Sequence, residues 1–161
     1  MTIPEGWKVT QREDLEKQAE KGLKMLDKEV QEALQNQQPK TSYLLCFQKD
    51  KRKMFTSVAE QFDTVNIKFE QLNRNNKELI YNTLIKQGGK IDSSWGREII
   101  DGKVFRTFKM TAFDKSNNPI VNQFYYNRQI DNFMLSIILL YDNNESKDAL
   151  LEHWRKSKFD K

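Results

Sequence analysis

A chain of 161 residues, with 37% hydrophobic residues and 31% charged ones, is long enough to bury one core under a heavily solvated surface. Its single cysteine excludes an intrachain disulfide and a thiolate metal cluster, and its single histidine excludes a multi-histidine metal site. The net charge of +4 is spread among interspersed acids and bases, so it does not mark a nucleic-acid binder, and no apolar run approaches a membrane span.

The first element is a short strand over residues 6–9. Thr10-Gln11-Arg12-Glu13 has the form of a capping box, with a hydroxyl and a carboxylate satisfying two helical amides reciprocally. The amphipathic helix that follows, residues 12–35, carries Leu15, Ala19, Leu23, Leu26, Val30, Ala33 and Leu34 at spacings of three and four. Its length suits a helix lying across a whole sheet.

A second strand covers residues 41–49 and contains Cys46 in an apolar run, the setting of a buried, inert thiol. Residues 50–62 show no clear period; the basic run Lys51-Arg52-Lys53 reads as a solvated loop, and 57–62 as a helical turn. In 64–72, Val65, Ile67 and Phe69 alternate with polar residues, the pattern of a strand. Asn75 to Glu78 then caps a second helix bearing Leu79, Ile80, Leu84 and Ile85, which stops at Gly88-Gly89.

Residues 90–141 read as an antiparallel meander, with strands over 104–113, 120–128 and 133–141. Asp101-Gly102 is a strong hairpin dipeptide, because a type I′ turn needs two residues tolerant of positive φ. Turns at 114–119 and 131–132 separate the next strands. Strand 133–141 is apolar on both alternating sets, which places it near the centre with both sides covered. A last helix over 148–157 sets Leu150 and Trp154 on one face, with Phe159 beyond. The expected architecture is therefore a single domain over residues 1–161 of α+β class: an antiparallel sheet of about six strands flanked by helices on both faces, an α-β-α sandwich.

Several pieces together resemble the fold family of the photosystem II protein PsbP and the Ran-binding yeast protein Mog. They are the opening Ile3-Pro4-Glu5-Gly6-Trp7, the pair Asn66-Ile67 with Glu70 and Leu72, the hairpin Ile100-Asp101-Gly102, and the ending from Leu150-Leu151 to Ser157-Lys158-Phe159. The resemblance implies helices around an antiparallel sheet and a non-catalytic role as assembly factor, adaptor or chaperone. It transfers no functional residue.

The chemistry points the same way. His153 lies beside Trp154 and reads as a surface or packing residue, and neither Ser136 nor Ser157 sits in a nucleophile elbow. There is no phosphate loop and no calcium loop, and neither a metal nor a cofactor is expected. The aromatic and basic residues of the meander suit contact, because Trp, Tyr and Arg are the residues of binding hot spots. Trp95, Arg97, Tyr125 and Arg128 are the candidate partner-binding residues, from a wider set that includes Arg106 and Tyr126. The simpler reading is that the aromatics pack beneath helices and the arginines cap the sheet edge.

The function expected is a non-enzymatic protein-binding or assembly module, monomeric or weakly dimeric, without nucleic acid or a transmembrane segment. The resemblance makes it a protein of the bacterial cell envelope whose signal or lipid anchor has been removed. A cytoplasmic chaperone of secreted effectors is the related alternative, and an intact native Met1 would favour it. A small α+β enzyme using the carboxylates Asp92, Glu98 and Asp101 is the rival of a different class.

Overall fold

The computed structural model describes residues 2–24, 28, 41–86 and 90–159. Strands β1 (Lys8–Val9), β2 (Thr41–Asp50), β3 (Lys53–Gln61), β4 (Lys90–Ile100), β5 (Lys103–Phe113), β6 (Pro119–Ile130) and β7 (Phe133–Tyr141) form one sheet in the order β1-β2-β3-β7-β6-β5-β4. Every pairing is antiparallel. The described helices are α1 (Arg12–Lys24), α2 (Phe69–Lys86) and α3 (Asn144–Arg155).

The hairpins form where the turn residues demanded. Asp101 and Gly102 both take positive φ, 49° and 72°, and join β4 to β5 with no slip in an eleven-pair register. Asp114 closes the next turn, its Oδ1 accepting from the amides of Ser116 and Asn118 at 2.8 Å each. The doubly apolar strand is β7, at the centre of the sheet, and Met134, Leu135, Ile137 and Leu139 are buried.

Register sorts the side chains into two faces. On the first, Phe105, Tyr126, Ile137, Leu139, Phe55 and Phe47 meet α3 through Leu150 and Trp154. Asn143 caps α3 by accepting from the Ser146 amide at 2.9 Å, and the four-residue spacing of Leu150 and Trp154 turns both inward. On the second face, Cys46, Thr56, Ile138, Tyr125, Phe108 and Trp95 form one cross-strand row. The Cys46 thiol is buried there, 3.4 Å from the Thr56 hydroxyl.

The architecture departs from the expected six-stranded α-β-α sandwich. The sheet has seven strands, strand outweighs helix, and the three described helices are separate pieces set on a large antiparallel sheet rather than two helical layers. The missed strand is β3. Residues 53–61 pair with β2 and β7 throughout, so 57–61 are strand and not a helical turn, and Lys51-Arg52 make the tight turn before it. Small Ser57 and Ala59 weakened the alternation that would have marked it.

The reverse happened at 64–72. Asp63 accepts from the amides of Val65 and Asn66 and forms a turn, Val65 is 91% exposed, and α2 already runs from Phe69. Local side-chain bonding to the backbone outweighed an accidental period of two. The Thr10 capping box does not form either. The Thr10 amide pairs with Cys46 as a continuation of β1, its hydroxyl is buried without a partner among the described residues, and the Gln11 carbonyl accepts the first helical bonds. Of the expected stripe on the first helix, Leu15 is buried and Ala19 is exposed; Leu26, Val30, Ala33 and Leu34 lie outside the described residues, as does Gly88-Gly89.

Candidate functional site: a basic cleft beside the outer strand

Starting α2 at Phe69 puts Glu70, Asn73, Arg74 and Lys77 at i, i+3, i+4 and i+7, one face of the helix. Asn73 seats that face on the sheet: its Oδ1 accepts from the Asn127 Nδ2 at 2.7 Å, and both residues are buried. One turn later Lys77 is held at 4% exposure, with its ammonium 3.8 Å from the centre of the Trp95 ring and 5.7 Å from that of Phe108. Trp95 and Arg97 project from β4, and Arg106 from the opposite position on β5. The Arg106 Nη2 and Nε both donate to Glu70 Oε1, at 2.6 and 2.9 Å.

These residues line a cleft of about 420 Å³. Arg74, Lys77, Arg97 and Arg106 face a single carboxylate, Glu70, and Trp95 forms an apolar wall that is 57% exposed. The excess of positive charge is partly desolvated. Burial pulls the Lys77 ammonium down to about 8; nearby Glu70 opposes the drop and Arg106 adds to it. Among the described residues Lys77 has no carboxylate within ion-pair distance, so an incoming anion would supply the missing counter-charge.

The shift has a consequence for stability. The folded chain releases the Lys77 proton near pH 8 and the unfolded chain near 10.5, so between these values the unfolded state binds more protons and stability rises with pH. The thermal midpoint of the native protein should therefore climb relative to that of Lys77→Met between pH 8 and 9.5. Parallel profiles would show that Lys77 is not depressed.

The four residues expected to share a contact surface do not all share one. Trp95 and Arg97 are exposed at the cleft. Tyr125 is on the same face but sits behind it against Phe108, its hydroxyl donating to Gln123, and burial pushes its pKa up. Arg128 is on the opposite face, where it donates to the Val104 carbonyl at 3.0 Å and lies 6.0 Å from the Phe105 ring centre. Sequence reading missed Glu70, Arg74 and Lys77. Their spacing of four and then three residues was the available signal, hidden by assigning 64–72 to a strand.

Asp92, Glu98 and Asp101 do not converge on a pocket either. Asp92 is exposed on β4. Glu98 accepts from Arg155 Nε at 2.6 Å and from the Tyr126 hydroxyl at 2.9 Å. Asp101 accepts from Lys158 at 3.0 Å and from the Phe159 amide at 2.9 Å. Two of the three thus hold α3 and the residues after it on the sheet. Burial pushes the Glu98 carboxyl up, but Arg155 and Tyr126 together outweigh it and leave it below the ordinary carboxylate range. Its stabilising contribution is full above the unfolded value of 4.5 and is lost as pH falls through the lower folded value. Glu98→Gln should cost about 1 kcal/mol at pH 7 and less at pH 3, where the native carboxylate is also being neutralised. A difference in urea midpoint that stays constant from pH 7 to 3 would contradict this.

Other features offer less. An apolar groove of about 590 Å³ on the first face lies between Phe133, Leu135 and Phe159. Burial raises the Glu60 carboxyl in a cavity of about 230 Å³ under α2. Among the described residues no group of three His, Cys, Asp or Glu side chains could hold a metal, and no helix is long and apolar enough to cross a membrane. No protein-family model matches the chain, and no curated protein matches it.

Proposed function

We propose that the protein is a non-enzymatic binding module that holds an acidic segment of a partner protein in the cleft between α2 and β4. The observation that carries this is Lys77. A buried ammonium stacked on an exposed tryptophan, with three arginines around it and one carboxylate, is arranged to receive an anion next to an apolar or aromatic group. Exposed Trp95 and Arg97 are the residue types that carry binding energy.

A protein partner is favoured over nucleic acid. Glu70 lies within the cleft and holds Arg106 in an ion pair, which interrupts the continuous basic track a phosphate backbone needs. The reading retains the binding role that the resemblance to PsbP and Mog implies, and takes the protein to work as a monomer.

Selection from a random peptide display library tests it. The enriched peptides should be acidic with at least one apolar or aromatic residue, and Trp95→Ala should weaken them by about 1–2 kcal/mol while the circular dichroism spectrum still shows a folded sheet. Enrichment of basic or purely apolar peptides, or indifference to Trp95→Ala, would overturn the proposal.

A further inference from the structure

The two outer strands of the sheet are treated differently. At one side β2 is capped by β1 at Gln48 and Phe47, and its register breaks between Tyr43 and Leu45. A bulge and a short cover are ordinary protections of a sheet edge. At the other side β4 pairs with β5 over eleven residues without a slip, and among the described residues no strand follows it. Its outer N–H and C=O groups form a regular row.

Residues 92–97 are all exposed, and Ser93, Ser94 and Gly96 leave the backbone around Trp95 free of bulk. Trp95 and Arg97 point from this edge into the basic cleft. A strand laid beside β4 would place alternate side chains next to Trp95, Arg97 and Lys77, and the others over the opposite face.

We infer that the partner segment binds as an added strand on the outer edge of β4, an extended acidic peptide whose alternate carboxylates enter the cleft. The inference rests on the proposed cleft function and supplies its mode: backbone hydrogen bonds give affinity, and the basic pocket beside the edge reads every second residue. A second copy of this chain fits the edge less well. Antiparallel β4-to-β4 pairing would bring two clefts of the same positive sign together across Trp95, at a cost in like-charge repulsion.

The test uses the full chain and defined peptides on the order of ten residues long, enough to cover β4. One has alternating Glu and Val, one alternating Lys and Val. Two further forms of the Glu-Val peptide are N-methylated on one alternate set of amides or the other. The Glu-Val peptide should bind at least tenfold more tightly than Lys-Val and slow hydrogen exchange at every second amide of residues 92–98. One N-methylated form should lose binding and the other keep it, because only one edge of an added strand faces β4.

If both N-methylated forms bind alike and no alternation appears in β4, yet Arg97→Ala weakens binding, the added strand is wrong and the cleft stands. Failure of the Glu-Val peptide to bind overturns the added strand, while the display selection judges the cleft independently. Sedimentation showing a dimer that Trp95→Lys dissolves would assign the edge to a second copy and overturn the choice of partner.

Discussion

Replacing Trp154 by alanine should lower stability by about 3–5 kcal/mol, the range for removing a large buried aromatic. Its indole is 2% exposed and lies within 5.2–6.3 Å, centre to centre, of the rings of Phe55, Phe105, Tyr126 and Phe159. Those rings come from β3, β5, β6 and the segment after α3, so no single neighbour can move to refill the space. The surrounding sheet is hydrogen-bonded on both sides and relaxes little, which keeps the cavity term large. Stability for a domain of this kind is about 5–15 kcal/mol, so the loss is a large fraction of the total. The measurement is the urea midpoint, with near-UV circular dichroism reporting the aromatic cluster. A midpoint within error of the native protein would mean that α3 is not part of the core.

Arg97→Glu should reduce binding of acidic peptides by about 100-fold, or about 2.7 kcal/mol. The reversal removes one cation from a cleft that holds four and places a second carboxylate beside Glu70, so the attraction is lost and a repulsion is added. Arg97 is exposed, and among the described residues it forms no ion pair and no side-chain hydrogen bond, so the change should not destabilise the fold; a carboxylate there faces Arg106 across the strands in place of a like charge. Isothermal titration against a selected acidic peptide gives the ratio, and a thermal midpoint no lower than that of the native protein shows that the loss is local. Raising salt from 50 to 500 mM should weaken the native protein more than the variant, because rim charges are screened. Equal affinity of the two proteins would place the binding surface elsewhere.

The meander was legible because its turns are chemically explicit. Asp101-Gly102 and the Asp114 turn needed residues tolerant of positive φ or able to bond their own backbone, and the strands between them alternate cleanly. β7 was placed at the centre by apolarity on both of its sets. The N-terminal half was harder. Lys53–Gln61 carries Thr56, Ser57 and Ala59, which pack well between β2 and β7 but give no hydropathy period, so the seventh strand did not show. Asp63 capping its own turn defeated the alternation of Val65, Ile67 and Phe69.

That second error hid half of the candidate site. Trp95 and Arg97 were visible as contact residue types on a strand. Lys77 and Arg74 become cleft residues only when α2 begins at Phe69 and its register is known. The opposite placement of Tyr125 and Arg128 follows from β6 alone, where positions three apart fall on different faces, and that spacing was present in the sequence. The carboxylates of the enzyme reading were misassigned for another reason. Glu98 and Asp101 lie close in sequence to a hairpin, but their partners, Arg155 and Lys158, are more than fifty residues away.

The cleft beside β4 is the surface proposed to meet a partner. Site-specific photo-crosslinking in cells tests it most directly, with a photoreactive residue placed at Arg97 in one strain and at Leu44, exposed on β2 at the far side of the sheet, in another. The cleft reading predicts a discrete adduct from position 97, joined to an acidic stretch of one protein, and none from position 44. An adduct from position 44 with none from position 97 would contradict it.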